Sequence, residues 1–244
     1  MTCPSLTADS IEPGANAILR GLSAKDMQRW EPKLQLLWLQ LNQIIYEPAK
    51  PLLYIYLPVS TILSVQYLFE DGKAAEFAEI GNDGLSGTFA FAGNTTTIWN
   101  CSVMASGWAY QVDVQFVLNE FQNSSAFRSQ IIRYMQLLML STAQTAVCNR
   151  RHSILQQLAK ILLTNQDRMI RDDLEFTHEL LARILGVRRE GITLAAQHLQ
   201  DLGAIDYKRG TIQIKNRLSL ERTSCECYRI VKNEMIRINK KSLE

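Results

Sequence analysis

Residues 176–215 read FTHELLARILGVRREGITLAAQHLQDLGAIDYKRGTIQIK. Two runs with helical spacing of apolar residues lie on either side of Gly186, and two short alternating runs follow Gly203. A positive backbone φ costs glycine little, so Gly186 predicts a tight turn between two helices. Thr177 predicts the N-cap of the first helix. The order of two helices and a hairpin predicts a winged helix-turn-helix.

The second predicted helix carries polar side chains at its start and on one side. In a helix-turn-helix, this helix enters the DNA major groove, where arginine can donate two hydrogen bonds to guanine or pair with phosphate. The alternative is an ordinary helical hairpin with a solvated basic face. The candidate DNA-binding residues on this helix are Arg188, Arg189, Glu190, Thr193, Leu194 and Gln197.

The segment after this helix favours DNA binding over the hairpin alternative. Residues 204–207 and 211–214 alternate apolar and polar side chains and predict two strands. Lys208-Arg209-Gly210 forms the turn, with glycine available for a positive φ. We therefore expect Lys208 and Arg209 to contact phosphates from the tip of a wing.

The charge distribution agrees with this interpretation. Residues 1–145 have a net charge of −4, and residues 146–244 have a net charge of +6. The basic surplus therefore lies in the half that carries the predicted DNA reader. A modest surplus of this kind is also compatible with a solvated surface, so it supports the interpretation without establishing it.

Composition and motifs narrow the class of protein. No apolar run reaches the ~18 residues of a membrane span, and no secretory signal is visible, so we expect a cytoplasmic protein without a membrane partner. The five cysteines are odd in number and scattered, which suits a reducing compartment. No phosphate-binding loop, H-E-x-x-H or G-x-S-x-G motif occurs, so we expect no enzyme and no catalytic residues.

The N-terminal half predicts a compact β domain. After a short helical entry, strand-like runs cover residues 34–41, 52–57, 61–69, 74–80, 95–104 and 107–112, separated by turn residues. Many short strands at this spacing favour a jelly roll or a related barrel.

A long helix is predicted to join the two halves, because residues 119–147 contain neither proline nor glycine. Its apolar residues cover nearly all sides, which indicates that more than one face is buried. One face can pack on the β domain and another on a second subunit; the alternative is a single buried core helix. The candidate dimer residues repeat at spacings of three and four: Ile131, Tyr134, Leu138, Ser141 and Thr145.

Two groups of cysteine and histidine residues stand out. Cys148 and His152 lie one helical turn apart, but the sequence shows no further ligand near them, so we expect a structural role and no metal site. Cys225 and Cys227 form a close pair that could bind a metal or oxidise, and here too we expect ordinary packing or a tail.

The C-terminal half resembles the DNA-binding domain of the Crp/Fnr family of bacterial transcription regulators. The residues that carry this resemblance are 177–179, 181–182, 185–190, 199, 203–205 and 209–212, with the runs 148–153 and 225–228 typical of one branch. In the family an Arg-Glu pair reads base edges, and Arg189-Glu190 occupy that place. Leu194 stands where some members carry a basic contact residue, which is a departure from their pattern.

The N-terminal half more weakly resembles the family's cyclic-nucleotide-binding β-roll, through residues 16–19, Gly72 and residues 81–87. Family members that bind cyclic nucleotides hold the phosphate with a buried arginine, yet residues 74–127 contain no lysine or arginine. Haem-binding members use an N-terminal histidine and iron–sulfur members an N-terminal cysteine group, whereas this half has no histidine and Cys3 stands alone near the N-terminus. We expect no cofactor and no cyclic AMP in the usual mode.

The resulting prediction is an α+β protein with four segments. They are a β-roll (1–118), a dimerisation helix (119–147), a winged helix-turn-helix (148–220) and a C-terminal tail (221–244). We expect a homodimeric regulator that binds double-stranded DNA at an inverted repeat. The resemblance adds RNA polymerase as a candidate partner. The alternative function is a protein-interaction module that uses the winged helix for a protein partner.

Overall fold

The computed structural model describes residues 10–70, 74–169 and 173–240. Cys3 and Gly72 lie outside the described residues. The chain divides into two compact units. The N-terminal unit comprises Met1–Val65 and Glu79–Gln136, and the C-terminal unit comprises Gln66–Ala78 and Leu137–Glu244.

The β-roll consists of two sheets preceded by two short helices, α1 (Ala17–Arg20) and α2 (Ala24–Trp30). The strands are β1 (Gln35–Leu39), β2 (Ile44–Tyr46), β3 (Tyr54–Pro58), β4 (Ile62–Leu68), β5 (Ala74–Ile80), β6 (Asn100–Ala105) and β7 (Gly107–Asp113). One sheet has the order β1-β7-β3 and the other β2-β6-β4-β5. β7 is antiparallel to both of its neighbours. The predicted β domain is confirmed, although the three-residue β2 was not predicted.

Buried aromatic and polar groups hold the N-terminal unit together. Trp30 is fully buried and makes edge contacts with Phe116 and Phe127 at centroid distances of 5.2 and 5.1 Å. The buried Asn16 side chain caps α1 and donates hydrogen bonds to the carbonyl oxygens of Pro58 (2.8 Å) and Gly84 (2.9 Å). Because its hydrogen-bonding groups are satisfied, this buried amide can order the loops around it.

The predicted joining helix is two helices, α3 (Val114–Asn123) and α4 (Ser125–Arg151). The prediction of an unbroken helix over residues 119–147 is therefore wrong at Ser124, whose backbone is extended. The Ser124 hydroxyl accepts a hydrogen bond from the Phe127 amide at 3.2 Å, as an N-cap does, so no glycine or proline is needed for the break. α4 also extends four residues beyond the predicted end.

The C-terminal unit contains the predicted winged helix-turn-helix. Its elements are α5 (Ile154–Arg168), β8 (Asp173–Leu174), α6 (His178–Leu185), α7 (Arg189–Asp201), β9 (Ile205–Lys208) and β10 (Thr211–Ile214). The strands pair in the order β8-β10-β9. Ser153 and Gln156 form a capping box at the start of α5, with the Gln156 backbone amide donating to the serine hydroxyl.

The described part of the segment predicted as a tail, residues 221–240, is largely helical. α8 (Arg217–Thr223) crosses the predicted boundary at residue 220, and α9 (Glu226–Lys240) follows it. Asp167 on α5 anchors both helices: it pairs with Arg217 at 2.7 Å and accepts a hydrogen bond from the Tyr228 hydroxyl at 2.7 Å. Within the described residues, none of the helices combines the length and hydropathy needed to cross a lipid bilayer.

Candidate nucleic-acid interface

The turn between α6 and α7 has the predicted caps. The Thr177 hydroxyl accepts a hydrogen bond from the Leu180 amide at 3.1 Å and so begins α6. Gly186 ends α6 with φ +64°, a left-handed conformation that glycine adopts without a Cβ penalty. The Val187 amide then donates to the Ala182 carbonyl oxygen at 3.0 Å. These contacts fix the angle at which the chain enters α7.

Apolar packing holds α7 against the rest of the domain. Leu181 on α6 and both Ile192 and Leu199 on α7 are fully buried. A Cβ at Gly191 would come within 2.9 Å of the Ile154 side chain on α5. The glycine therefore permits a close approach of α5 and α7, a role that the sequence did not reveal.

All six candidate residues on the second helix are exposed. Arg188 is the N-cap residue of α7, and Arg189 and Glu190 are its first two helical residues. Leu194 is the most exposed large apolar side chain in the described residues, at 73%. The outer side of α7 is therefore a continuous accessible surface that begins with two arginines; we call residues 188–197 on this side the reading face.

Two side chains of the reading face have contacts within the protein. The Thr193 hydroxyl donates to the Arg189 carbonyl oxygen (3.1 Å) and lies 3.0 Å from Nδ1 of His178. The Gln197 amide donates to Asp201 at 2.8 Å. This hydrogen bond uses one N–H of the Gln197 amide and leaves the second N–H and the amide oxygen for other partners.

His178 on α6 contacts both α7 and the wing. Its ring stacks on Tyr207 of β9 with a centroid distance of 4.2 Å, while Nδ1 contacts Thr193. Burial, and secondarily the charge of Arg189, lower the pKa of His178. The neutral imidazole is therefore the form that suits this junction.

The wing is a β-hairpin with a two-residue loop. Thr211 is paired with Lys208, and the loop between them is Arg209 and Gly210, with φ +50° and +85°. Two successive positive φ values are typical of a type I′ turn, which matches the twist of the flanking strands. Lys208 pairs with Asp206 at 2.8 Å, whereas Arg209 forms no ion pair with any of the described residues. Both basic side chains are exposed.

The candidate dimer residues on α4 fall into two groups. Ile131 is fully buried and Tyr134 is 7% exposed, and the Tyr134 hydroxyl donates to the Leu85 carbonyl oxygen at 3.1 Å. These two residues therefore belong to the core of the N-terminal unit. Leu138, Ser141 and Thr145 are partly exposed. The exposed apolar residues of α4 lie beside the predicted positions, at Ile132 (55%), Met139 (70%) and Val147 (54%).

The fold brings the Cys148–His152 pair next to the Cys225–Cys227 pair. The Sγ and imidazole nitrogen ligand atoms of Cys148, His152, Cys225 and Cys227 all lie within 4.8 Å of one another. The reason for expecting no metal, a lack of further ligands near Cys148 and His152, is therefore wrong. The spacings C-x₃-H and C-x-C were visible in the sequence, but their proximity was not.

Comparisons with known proteins agree with this geometry. Residues 156–223 match the family model of a Crp-like helix-turn-helix domain. Curated protein sequences contain no match to the chain. FixK2 from Bradyrhizobium japonicum is 14% identical with a TM-score of 0.65, over 79% of this chain and 98% of that one.

Two further solved structures have the same fold. A CRP-family transcriptional regulator from Thermus thermophilus is 14% identical with a TM-score of 0.64, over 78% of this chain and 96% of that one. A putative Crp/Fnr-family regulator from Eubacterium rectale is 17% identical with a TM-score of 0.60, over 86% and 98%. At such identities the likeness concerns the fold.

The fold and the site define a winged helix-turn-helix protein with an N-terminal β-roll. Its helix-turn-helix is Crp-like, and its architecture is that of the Crp/Fnr transcription regulators, which confirms the resemblance recognised in the sequence. These findings establish the fold of the chain and a Crp-like helix-turn-helix domain over residues 156–223.

Proposed function

We propose that this protein is a cytoplasmic, homodimeric transcription regulator that reads an inverted-repeat operator, without cyclic AMP bound in the usual mode. The observation that carries the proposal is the reading face. It is an accessible helix surface that begins with two arginines, within a Crp-like helix-turn-helix domain and beside a basic wing tip. DNA phosphates and guanine edges are the ligands that such a surface suits best.

We assign different tasks to the residues of the reading face. Arg189 and Glu190 are proposed to read base edges, because arginine suits guanine O6 and N7 and glutamate accepts from cytosine N4. Arg188 precedes the helix and is proposed to contact the backbone near the free amides of the first turn. Leu194 offers an apolar contact for a thymine methyl group.

The wing is proposed to contact phosphates. Arg209 is placed at the hairpin tip with its charge exposed, and Lys208 beside it must leave Asp206 to reach DNA. Such contacts add affinity without sequence information. We therefore expect Arg209 to contribute more than Lys208 to the salt dependence of binding.

The dimer is proposed to form along α4. Ile132 and Met139 are exposed and seven residues apart, and Val147 follows eight residues later, which is close to the heptad spacing of paired helices. Their exposure makes them better interface candidates than Ile131 and Tyr134. A two-fold axis through such a pair would present two reading faces to half-sites about 34 Å apart.

We propose no cyclic AMP in the usual binding mode because the β-roll lacks a suitable positive charge. Residues 74–127 contain no lysine or arginine to balance a buried phosphate. RNA polymerase is the proposed protein partner in regulation, as in the family that the chain resembles.

Selection of bound DNA from a random duplex pool, with wild type and Arg189→Ala, tests this function. We expect the wild type to select an inverted repeat, and the variant to lose about 1–3 kcal/mol with relaxed preference at one base position of each half-site. Arg222→Ala on α8 is the matched control and should keep the wild-type preference. Uniform weakening across all sequences would make Arg189 a phosphate contact. Absent or salt-insensitive DNA binding would favour the protein-interaction module.

A further inference from the structure

Four side chains with metal-binding atoms converge inside the C-terminal unit. Cys148 lies near the end of α4, His152 follows that helix, and Cys225 and Cys227 stand at the start of α9. All three cysteines are buried and His152 is partly buried. The Cys148 and Cys225 sulfurs are 3.5 Å apart, and the Cys227 sulfur is 3.5 Å from Nδ1 of His152.

These distances match the edges of a tetrahedral zinc site. Zn–S bonds of about 2.3 Å place two sulfur ligands about 3.8 Å apart around a tetrahedral ion. The Cys148–Cys225 and Cys227–His152 separations of 3.5 Å are slightly below that edge length, and no separation among the four ligand atoms exceeds 4.8 Å. Only small side-chain adjustments are needed for all four atoms to bind one ion.

The surroundings of the four ligands orient them as they would be around a metal. Nε2 of His152 lies 3.2 Å from a Glu226 carboxylate oxygen, which leaves Nδ1 directed at the cluster. A carboxylate behind the distal ring nitrogen is the usual partner of a metal-bound histidine. The Gln144 amide donates to the Cys227 sulfur at 3.1 Å, an N–H contact that stabilises a thiolate.

We propose that Cys148, His152, Cys225 and Cys227 bind one Zn²⁺ ion as a closed, structural Cys₃His site. Three thiolates and one imidazole are a ligand set that zinc prefers, and four protein ligands leave no open position for substrate. Thiol protons are released to solvent when the ion binds. A disulfide between Cys148 and Cys225 would involve neither Cys227 nor the His152–Glu226 pair, although these groups lie at the same place.

The site would join two segments that are far apart in sequence. Cys148 and Cys225 are separated by 77 positions, and the segment between them contains α5 and the whole winged helix-turn-helix. An ion bound at both ends closes this loop and restricts the unfolded chain, so it stabilises the DNA-reading unit as a whole. This role does not depend on whether the reading face binds DNA.

Metal analysis of the full-length chain tests the proposal. Protein purified under reducing conditions and supplied with Zn²⁺ should retain about one zinc per chain after dialysis, measured by mass spectrometry of the elements. Cys227→Ser should lose most of this zinc, whereas Cys101→Ser, a buried thiol on β6 outside the cluster, should retain it. Cobalt substitution of the wild type should give the intense visible absorption of tetrahedral thiolate coordination.

Glu226→Gln separates a metal site from mere packing. The variant keeps the shape of the side chain but weakens the support of His152, so the Kd for zinc should rise by about 10- to 100-fold. Glu234→Gln on the same helix is the matched control and should leave the Kd unchanged. Zinc-free wild type after reconstitution, or a Cys148–Cys225 disulfide in freshly isolated protein, would overturn the proposal. Because the readout is metal content, failure of the DNA-binding function would not affect it.

Discussion

Replacing Arg209 with glutamine tests the proposed phosphate contact of the wing. Arg209 occupies the hairpin tip with a φ of +50° and an exposed side chain. Glutamine removes the charge but keeps a similar side chain and the same backbone demand. Each neutralised phosphate contributes about 0.9 to the slope of log K against log salt. A two-fold dimer would lose two such contacts, so the slope should become shallower by about 1.8.

The assay is fluorescence anisotropy of a labelled operator duplex at salt concentrations between about 50 and 200 mM. Over this fourfold increase in salt, a slope difference of about 1.8 lowers the ratio of wild-type to variant binding constants by about 12-fold. If only one subunit makes the contact, this ratio falls by only about 3.5-fold. Arg222→Gln removes the same formal charge from α8 and serves as the control.

Three results would refute parts of this reasoning. An unchanged slope for Arg209→Gln would remove the residue from the phosphate contacts. A change of about 0.9 would contradict symmetric binding by two wings. An equal change in Arg222→Gln would mean that overall charge, not the wing, determines the salt dependence.

Two further predictions concern the wing and the turn. Asp206→Asn should lower the Kd for DNA at low salt by roughly 3- to 10-fold. The substitution frees Lys208 from its ion pair and removes a negative charge near the phosphates. An unchanged or higher Kd in the same anisotropy assay would contradict this prediction. Gly186→Ala should destabilise the chain by about 1–2 kcal/mol in urea unfolding, since an added Cβ meets no neighbour and the cost is the left-handed backbone alone. Gly14→Ala, which also has open space around it but no positive φ, should change stability by less than about 0.5 kcal/mol.

Much of the winged helix-turn-helix could be predicted because the residues that determine it are close together in sequence. Thr177 caps α6, Gly186 adopts a positive φ, and the type I′ turn forms at Arg209-Gly210, each within a few residues of the sequence signal. The same holds for the strands of the β-roll, whose alternating pattern and flanking turns are visible without tertiary information. Local hydrogen bonds and backbone preferences are sufficient to specify such features.

The errors arose where weak local signals compete with tertiary packing. Ser124 breaks the predicted helix through its hydroxyl cap, although the apolar periodicity continues across it. α8 and α9 have polar sequences, and their position depends on contacts such as those of Asp167 with Arg217 and Tyr228, far away along the chain. Propensity alone does not reveal such contacts.

The sequence by itself determined the helix-turn-helix, the wing, the β-roll and the basic character of the C-terminal half, because spacing, caps and charge are properties of neighbouring residues. Only the tertiary structure decided which side of α4 is covered, since Ile131 and Tyr134 pack within their own unit while Ile132 and Met139 stay exposed. It also decided that Cys148 meets Cys225. Residues so distant in sequence meet only when the fold between them closes the loop, and no local pattern encodes that closure.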